Sequence, residues 1–405
     1  MTTIAWLIPS LLEGSGGHRT ILQHADYLRQ RGHRCMLYVE DNGAMSGSSL
    51  RKTIRQMFGF DFEDVRLGWS GVKPADMVFA TIWYSARFVR DLPFETIRCY
   101  FVQDFEAQFN PMGDAYLMAE NSYRYGLYPI TIGRWMTAML GNEFKVESTY
   151  FDFCADLGLY RRLPDVQREK AICFIYQPEK FRRCPELGIE ALGIVKHFMP
   201  DVKIYLYGSR SAGRVWFAHE NLGLLSLEEC NRLYNRCTVG LCISATNPSR
   251  IPFEMMAAGL PVVEVYRENT LYDFPEEAIL LCEPTPESLA KGLMERLSSQ
   301  KDAEVGGQAG TRFMQARPIG HGLEQFYSGV EVLLAGGKPP KRVVGPMYRQ
   351  PCLVAEANSQ QWASDGSAAR MPLPDYGRLS FLPPVPRRII RFLYYGLRRL
   401  RRLLL

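Results

Sequence analysis

The chain has 405 residues and a mass of 46.3 kDa, a length that on size alone predicts two domains. Apolar residues make up 47% and charged residues 22%, which sets aside disorder, collagen and coiled coil as descriptions of the whole chain. Seven arginines and no acids fall between Arg387 and Leu405, so once they are taken from the net charge of +5 the rest of the chain carries two negative charges. A nucleic-acid channel through its body is therefore not expected.

No run approaches the roughly 18 consecutive apolar residues of a transmembrane helix. The first apolar stretch, Ile4 to Ile8, has neither the basic leader nor the length of a secretory signal, so a cytoplasmic protein is expected. Ten cysteines are scattered from Cys35 to Cys352 without a C-x-x-C. That spacing suggests neither zinc nor a disulfide framework and predicts small buried hydrophobes.

In chain order, β-branched and aromatic runs at Thr3–Ile8, Cys35–Val39, Met77–Thr81, Ile97–Val102 and Pro129–Ile132 predict strands. A helix beginning near His18 carries Ile21, Leu22, Ala25 and Leu28 on one face and stops at Gly32. Charge and proline interrupt the pattern at Tyr160–Pro164, and a second alternation follows. Its strands are predicted at Ala171–Tyr176, Lys203–Tyr207, Val239–Ile243, Pro261–Val265 and Ala278–Cys282, with a helix at Pro185–Phe198. Two doubly wound α/β domains in series result, over residues 1–163 and 164–335. Residues 336–386 turn to Gly, Pro, Ser and Gln and are expected to be a linker, partly disordered. Residues 387–405 place their arginines within an arc of roughly 160° on a helical wheel, opposite Ile389, Ile390, Leu393, Leu397, Leu400 and Leu404. This is a basic amphipathic helix.

Four places carry candidate chemistry. Glu13-Gly14-Ser15-Gly16-Gly17-His18 joins the first strand to the first helix, where glycines and free N–H groups can cradle a phosphate. Only Gly14 and Gly16 match the dinucleotide fingerprint G-x-G-x-x-G, because Arg19 stands at the third glycine. Asp104 and Glu106 lie just past the carboxyl end of the fourth predicted strand, where carboxylates can orient a hydroxyl, act as a base or hold a metal, and where Asp104 can also cap a helix. Arg182 and Arg183 follow the first strand of the second half and suit a diphosphate. The fourth is the run from Ser244 to Val263, which puts Glu254 among apolar neighbours. A lone acid there needs a hydrogen-bonding partner, and a ribose with paired hydroxyls would serve.

These residues resemble a known pattern. From Ile4 to Leu334 the chain is similar to retaining nucleotide-sugar glycosyltransferases of GT-B architecture, in particular the rhamnosyltransferase-like branch of bacterial surface-polysaccharide synthesis. The strongest element is Pro248 to Val263, similar to the family's P-S-x-x-P-x-E-M-x-A-x-G-x-P-V-V. Gly14–His18, Val102–Glu106 and Glu186-Leu187-Gly188 support it.

The resemblance implies two Rossmann-like domains around an interdomain cleft. It implies a donor held by Glu254 at the ribose and by Arg182 or Arg183 at the diphosphate. Gly16 and Gly17 would approach from the opposite domain, and Thr246 and Ser249 complete the donor-binding set. Asp104 and Glu106 would face the acceptor, a glycan or lipid-linked glycan. Transfer of a deoxyhexose, rhamnose favoured and dTDP-rhamnose a candidate donor, would proceed with retention and without metal or other cofactor. The family's E-x7-E arrangement has threonine, Thr246, at its first position here; the rhamnosyltransferase-like branch lacks that acid too, which implies a donor difference. The basic helix 387–405 would bind an anionic membrane surface, making the protein peripheral on the inner face.

Two other readings stay open. A dinucleotide oxidoreductase is supported by the glycine turn and by Glu40-Asp41 ending the second strand, and opposed by the missing third glycine and the Pro248–Val263 run. A catalytically silent sugar-nucleotide-binding scaffold is kept open by Thr246.

Overall fold

The computed structural model describes residues 1–43, 47, 49–210, 215–342, 344–355 and 389. The first half runs β1 (Thr3–Ile8), α1 (Gly16–Gln30), β2 (Arg34–Val39), α2 (Leu50–Phe58), β3 (Asp64–Leu67), β4 (Met77–Ala80), α3 (Trp83–Arg90), β5 (Ile97–Val102), α4 (Asp114–Ser122), β6 (Tyr128–Ile132), α5 (Arg134–Phe144) and β7 (Thr149–Phe151). The second runs β8 (Ala171–Ile175), α6 (Pro185–Phe198), β9 (Lys203–Tyr207), β10 (Glu220–Asn221), α7 (Leu227–Arg236), β11 (Val239–Leu241), α8 (Ile251–Ala257), β12 (Val262–Val265), β13 (Ile279–Cys282), α9 (Pro286–Ser298), α10 (Gln300–Gln315) and α11 (Ile319–Leu334).

Seven strands form one sheet in the order β3-β2-β1-β4-β5-β6-β7, and six form another in the order β10-β9-β8-β11-β12-β13. Every pairing is parallel, as in Ile4 beside both Cys35 and Met77. Helices cover both faces of such a sheet, so its inner strands read as unbroken apolar runs; Ala171–Ile175 is buried throughout. All ten predicted strands are present within a residue or two. The three additional ones, β3, β7 and β10, have four, three and two residues and sit toward sheet edges. At β3 the sequence is Asp-Val-Arg-Leu, and Asp64 pairs with Arg34 and Arg66. Charge of that kind blunts an edge and also hides it from an apolar-run reading.

Two glycines allow close approaches. A Cβ on Gly188 of α6 would lie 2.3 Å from the Phe174 ring on β8, so the helix can settle on its sheet only without one. At Gly133, before α5, φ is +80° and a Cβ would lie 2.4 Å from the Phe153 ring. Phe153 in turn stacks on Phe253 of α8 at 4.5 Å, which stacks on Phe274 at 5.1 Å. An aromatic column therefore ties the two halves together.

The chain returns to the first sheet at its last long helix. Residues 319–334, grouped by the sequence with the second domain, form α11 against β7 and α1, with Phe326 wholly buried among Trp6, Phe79, Phe101 and Phe151. Residues 344–355 fall in the stretch expected to be a linker, yet they pack on the second sheet. Leu353 bonds to the backbone of Leu281 and Glu283, and Tyr348 is buried with its hydroxyl accepting from the Leu281 N–H. The basic helix expected over 387–405 lies, but for Ile389, outside the described residues. All ten cysteines are free and seven are buried, as small hydrophobes would be.

Candidate functional site

In each sheet the strand order reverses beside the first strand of that half, between β1 and β4 and between β8 and β11. Loops at the carboxyl ends of strands flanking such a point form the natural ligand crevice. Here the loop after β5 meets the loop after β11. Asp104 accepts from the Thr246 hydroxyl at 2.9 Å and from the Asn247 N–H at 2.9 Å. The Asn247 side chain donates to the carbonyls of Gln103 and Ile132 at 2.9 and 3.0 Å. Burial pushes the Asp104 carboxyl up, while Arg182, the Asn247 and Thr246 bonds and Arg183 oppose that shift.

A short 3-10 turn, Phe181–Arg183, brings cations to the same place. Arg182 lies over the Phe109 ring of the first domain at 4.5 Å, and its carbonyl accepts from the Ala245 N–H. Arg183 has its Nε buried without a partner among the described residues. Burial and then Arg182 lower the Arg183 pKa, and burial and then Arg183 lower that of Lys180. Three cations within four residues, two of them partly desolvated, make a cluster in want of an anion.

Glu254 stands on α8 with Arg250 Nε 3.9 Å from its carboxylate. Burial raises its pKa, and Arg250, a hydrogen bond from Tyr160 and Arg19 across the cleft act against the rise. Arg250 also reaches Gln23 of α1 at 3.3 Å. The arginine that spoils the dinucleotide fingerprint thus acts on Glu254 from the first domain by its charge. Ser249 is half-buried and lies between Asn247 and Arg250 in the chain, two residues after the one and one before the other.

The glycine turn is held by its own residues. Ser15 caps α1 by accepting from the His18 N–H. The His18 ring meets Ser15 Oγ at 2.9 Å and the Pro9 carbonyl at 3.2 Å. Burial lowers the His18 pKa, so the ring is neutral; Nε2 donates to the carbonyl and Nδ1 accepts from serine. Gly17 faces the Gln103 side chain, 3.6 Å from where its Cβ would be, whereas a Cβ on Gly16 would meet nothing. The backbone at Gly16 is open to a ligand.

The acidic pair divides. Glu106 is buried away from the cleft: its Oε2 accepts from the Trp83 N–H at 2.5 Å and from Tyr100 at 3.0 Å, which caps α3. Desolvation pushes its carboxyl up to about 8. The structure thus places Glu106, expected to face the acceptor, at the start of α3, where it makes the capping contact considered for Asp104. With Glu106 in the core, the two carboxylates do not share a divalent site. Glu40, the ribose acid of the oxidoreductase reading, accepts from Ser10 and Tyr84 instead.

Two further acids shape the site. Glu264, fully buried on β12, accepts from the Ser244 N–H and hydroxyl, both at 2.8 Å, and desolvation pushes it up to about 7. It fixes the start of the loop that carries Thr246 and Asn247. An acid inside an otherwise apolar buried strand was a readable signal. Asp273 crosses between the halves and accepts from the Arg134 and Trp135 N–H groups at the start of α5, with burial raising it to about 6. Nothing in the local sequence marks it.

Known proteins match in sequence and in fold. Residues 170–294 match the model of the WsaF C-terminal domain. The O-antigen biosynthesis protein RfbC of Myxococcus xanthus is 29% identical over 314 residues, covering 73% of this chain and 24% of that protein. The chain thus spans about a quarter of the length of that relative. Among solved structures, TarM superposes with a TM-score of 0.66 at 9% identity, covering 82% of this chain and 99% of TarM. Anabaena HepE, in complex with UDP and glucose, gives 0.61 at 13% identity, with 82% and 100% covered. A glycosyltransferase from Rickettsia africae gives 0.60 at 14% identity, with 82% and 98% covered. The architecture is GT-B, two parallel-sheet Rossmann-like domains around a cleft.

Proposed function

We propose that the protein is a glycosyltransferase of bacterial surface-polysaccharide synthesis, moving a deoxyhexose, rhamnose favoured, from a nucleotide-diphosphate donor to a growing glycan. The observation that carries this reading is the meeting of an under-neutralised Lys180–Arg183 turn with the Thr246–Asn247 loop, directly opposite Asp104 and one helix from Glu254. The similarity to WsaF and to RfbC supports the polysaccharide context. The presence of UDP and glucose in a structure of the same architecture supports the donor class.

In this reading Glu254 accepts from the donor ribose and Arg182 and Arg183 hold the diphosphate. As the glycosidic bond breaks, negative charge gathers on the leaving phosphate, and fixed guanidinium groups stabilise it without reorganising. Retention follows from front-face attack, in which the leaving phosphate accepts the proton of the acceptor hydroxyl; no protein nucleophile is invoked. Asp104 stands on the acceptor side. A thermal-shift panel of nucleoside diphosphates and nucleotide sugars tests the reading, since a ligand that binds the folded state raises its melting temperature. Stabilisation by none of them would overturn it.

Glu254→Gln is expected to weaken nucleotide binding by about 5- to 150-fold, the equivalent of about 1–3 kcal/mol for a charged hydrogen bond, with the fold intact. Titration calorimetry on both proteins measures this, and equal affinities would return Glu254 to a packing role. Transfer is expected to survive EDTA, because Glu106 is turned into the core and the arginines supply the cationic charge. Loss on chelation with recovery in magnesium or manganese would reverse that.

Membrane attachment rests on the sequence of residues 387–405. Among the described residues no helix is long and apolar enough to cross a membrane. Seven arginines opposite a leucine face on a helical wheel would suit an anionic surface, each cation contributing about 1 kcal/mol before screening. Full-length protein is expected to float with anionic liposomes in low salt, and a form ending at Pro386 to stay behind. Equal behaviour of the two would remove the tail as the anchor.

A further inference from the structure

We propose that Asp104 is an internal stand-in for the donor: its carboxylate fills the subsite that the outer phosphate of the nucleotide diphosphate takes, the one a monophosphate lacks, so donor binding and the Asp104 contacts exclude one another. The inference rests on the glycosyltransferase reading and goes beyond it by assigning the occupant of one subsite and its competitor.

The subsite is built by the second domain and filled by the first. The Thr246 hydroxyl and the Asn247 N–H converge at 2.9 Å each on Asp104, with Arg182 and Arg183 as the nearby cations. Two donors and a pair of guanidinium groups around one anionic centre are what a phosphate oxygen needs as much as a carboxylate does. The carboxylate does not saturate the place, since Arg183 Nε remains buried without a partner among the described residues. A phosphate offers more acceptor oxygens than a carboxylate and would satisfy it.

The donors do not depend on Asp104 for their placement. Glu264 holds Ser244 at both its N–H and its hydroxyl. The Asn269 side chain donates to the carbonyls of Ser244 and Thr246, and the Asn247 side chain is fixed separately on the Gln103 and Ile132 carbonyls. A loop held in this way keeps its shape when the carboxylate leaves, as an anion-binding subsite requires. Asp104, by contrast, sits in the loop after β5 with its carbonyl held by the Tyr123 hydroxyl; among the described residues its carboxylate has only the Phe105 N–H as a first-domain partner, so the side chain can turn away. Once displaced it is a free carboxylate at the acceptor side of the cleft.

A competitor built into the site lowers apparent affinity, because only the fraction of molecules with the subsite vacated can bind. Asp104→Ala and Asp104→Asn, compared with the unaltered protein by titration calorimetry against ADP, GDP, UDP, CDP and dTDP and the matching monophosphates, test this directly. The diphosphate that the unaltered protein binds is expected to bind both variants about threefold to tenfold more tightly, the worth of one or two net hydrogen bonds. Affinity for its monophosphate should change less than twofold. Transfer should fall in both variants despite the tighter binding. Unchanged or weakened diphosphate affinity in both variants, or an equal gain for the monophosphate, overturns the stand-in while leaving the glycosyltransferase reading in place. Binding of no nucleotide by any of the three proteins overturns that reading and the stand-in with it. Asparagine keeps the volume and one acceptor, so it covers the case in which the alanine variant fails to fold.

Discussion

Arg183→Met is expected to lower transfer by about two to three orders of magnitude while leaving the free protein as stable as before or more so. The first half follows from the leaving group, whose developing charge needs a fixed donor; removing one such donor from an active site costs about 10²- to 10³-fold in turnover. The second follows from the state of Arg183 without ligand. Its Nε is buried and unpartnered among the described residues, and burial together with Arg182 disfavours its charge. The carboxylates of Asp104 and Glu264 act in the opposite sense without bonding to it. A half-buried cation whose buried Nε is so poorly matched adds little to stability, and an apolar side chain of similar length relieves the desolvation of that atom. Steady-state transfer rates and a urea titration on both proteins check the two halves separately. A variant that loses stability and activity in parallel would make Arg183 a structural residue.

Much of this arrangement was legible in the residues, and for a physical reason. Parallel sheets covered on both faces require unbroken apolar strands, so Thr3–Ile8, apolar from Ile4 onward, was readable to the residue. The same rule hid Asp64–Leu67, a charged edge strand. Within the site, Asp104, Arg182, Arg183 and Thr246 were each readable as polar residues just past a strand, but nothing in their spacing tells that Asp104 bonds to Thr246 across 142 positions. The pair Asp104 and Glu106 shows the limit most clearly. Two acids one residue apart look equivalent in sequence, yet the 3-10 turn beginning at Glu106 carries its side chain to the Trp83 N–H while Asp104 stays in the cleft. Backbone direction over two residues, which no periodicity encodes, decides which acid meets the Thr246–Asn247 loop and which holds α3.

The return of α11 to the first sheet leads to the largest expected effect on stability. Phe326 is wholly buried, with ring centroids 5.5 Å from Phe101, 5.7 Å from Phe79, 5.9 Å from Phe151 and 6.1 Å from Trp6. It stands edge-on to His24 at 4.8 Å, whose imidazole is held neutral by burial, its pKa lowered to about 3. Phe326→Ala removes a ring from the middle of this cluster and is expected to cost about 3–5 kcal/mol, the loss of transfer free energy plus the cavity left behind. Water entering that cavity could donate to His24 Nε2, which is buried without a partner among the described residues, and so hold the cost toward the lower end. The location of the loss carries the further argument. Gln325 beside it bonds to both the N–H and the carboxylate of Asp152, which receives Arg134, whose own N–H is capped by Asp273 of the second half. If α11 is energetically part of the first domain, unfolding followed at the tryptophans of that half, Trp6, Trp69, Trp83 and Trp135, shifts to lower denaturant. Unfolding reported by Trp216 alone, in a protein stripped of those four indoles and of Trp362, then shifts less. Equal shifts would mean that the helix belongs to both domains and that they unfold as one.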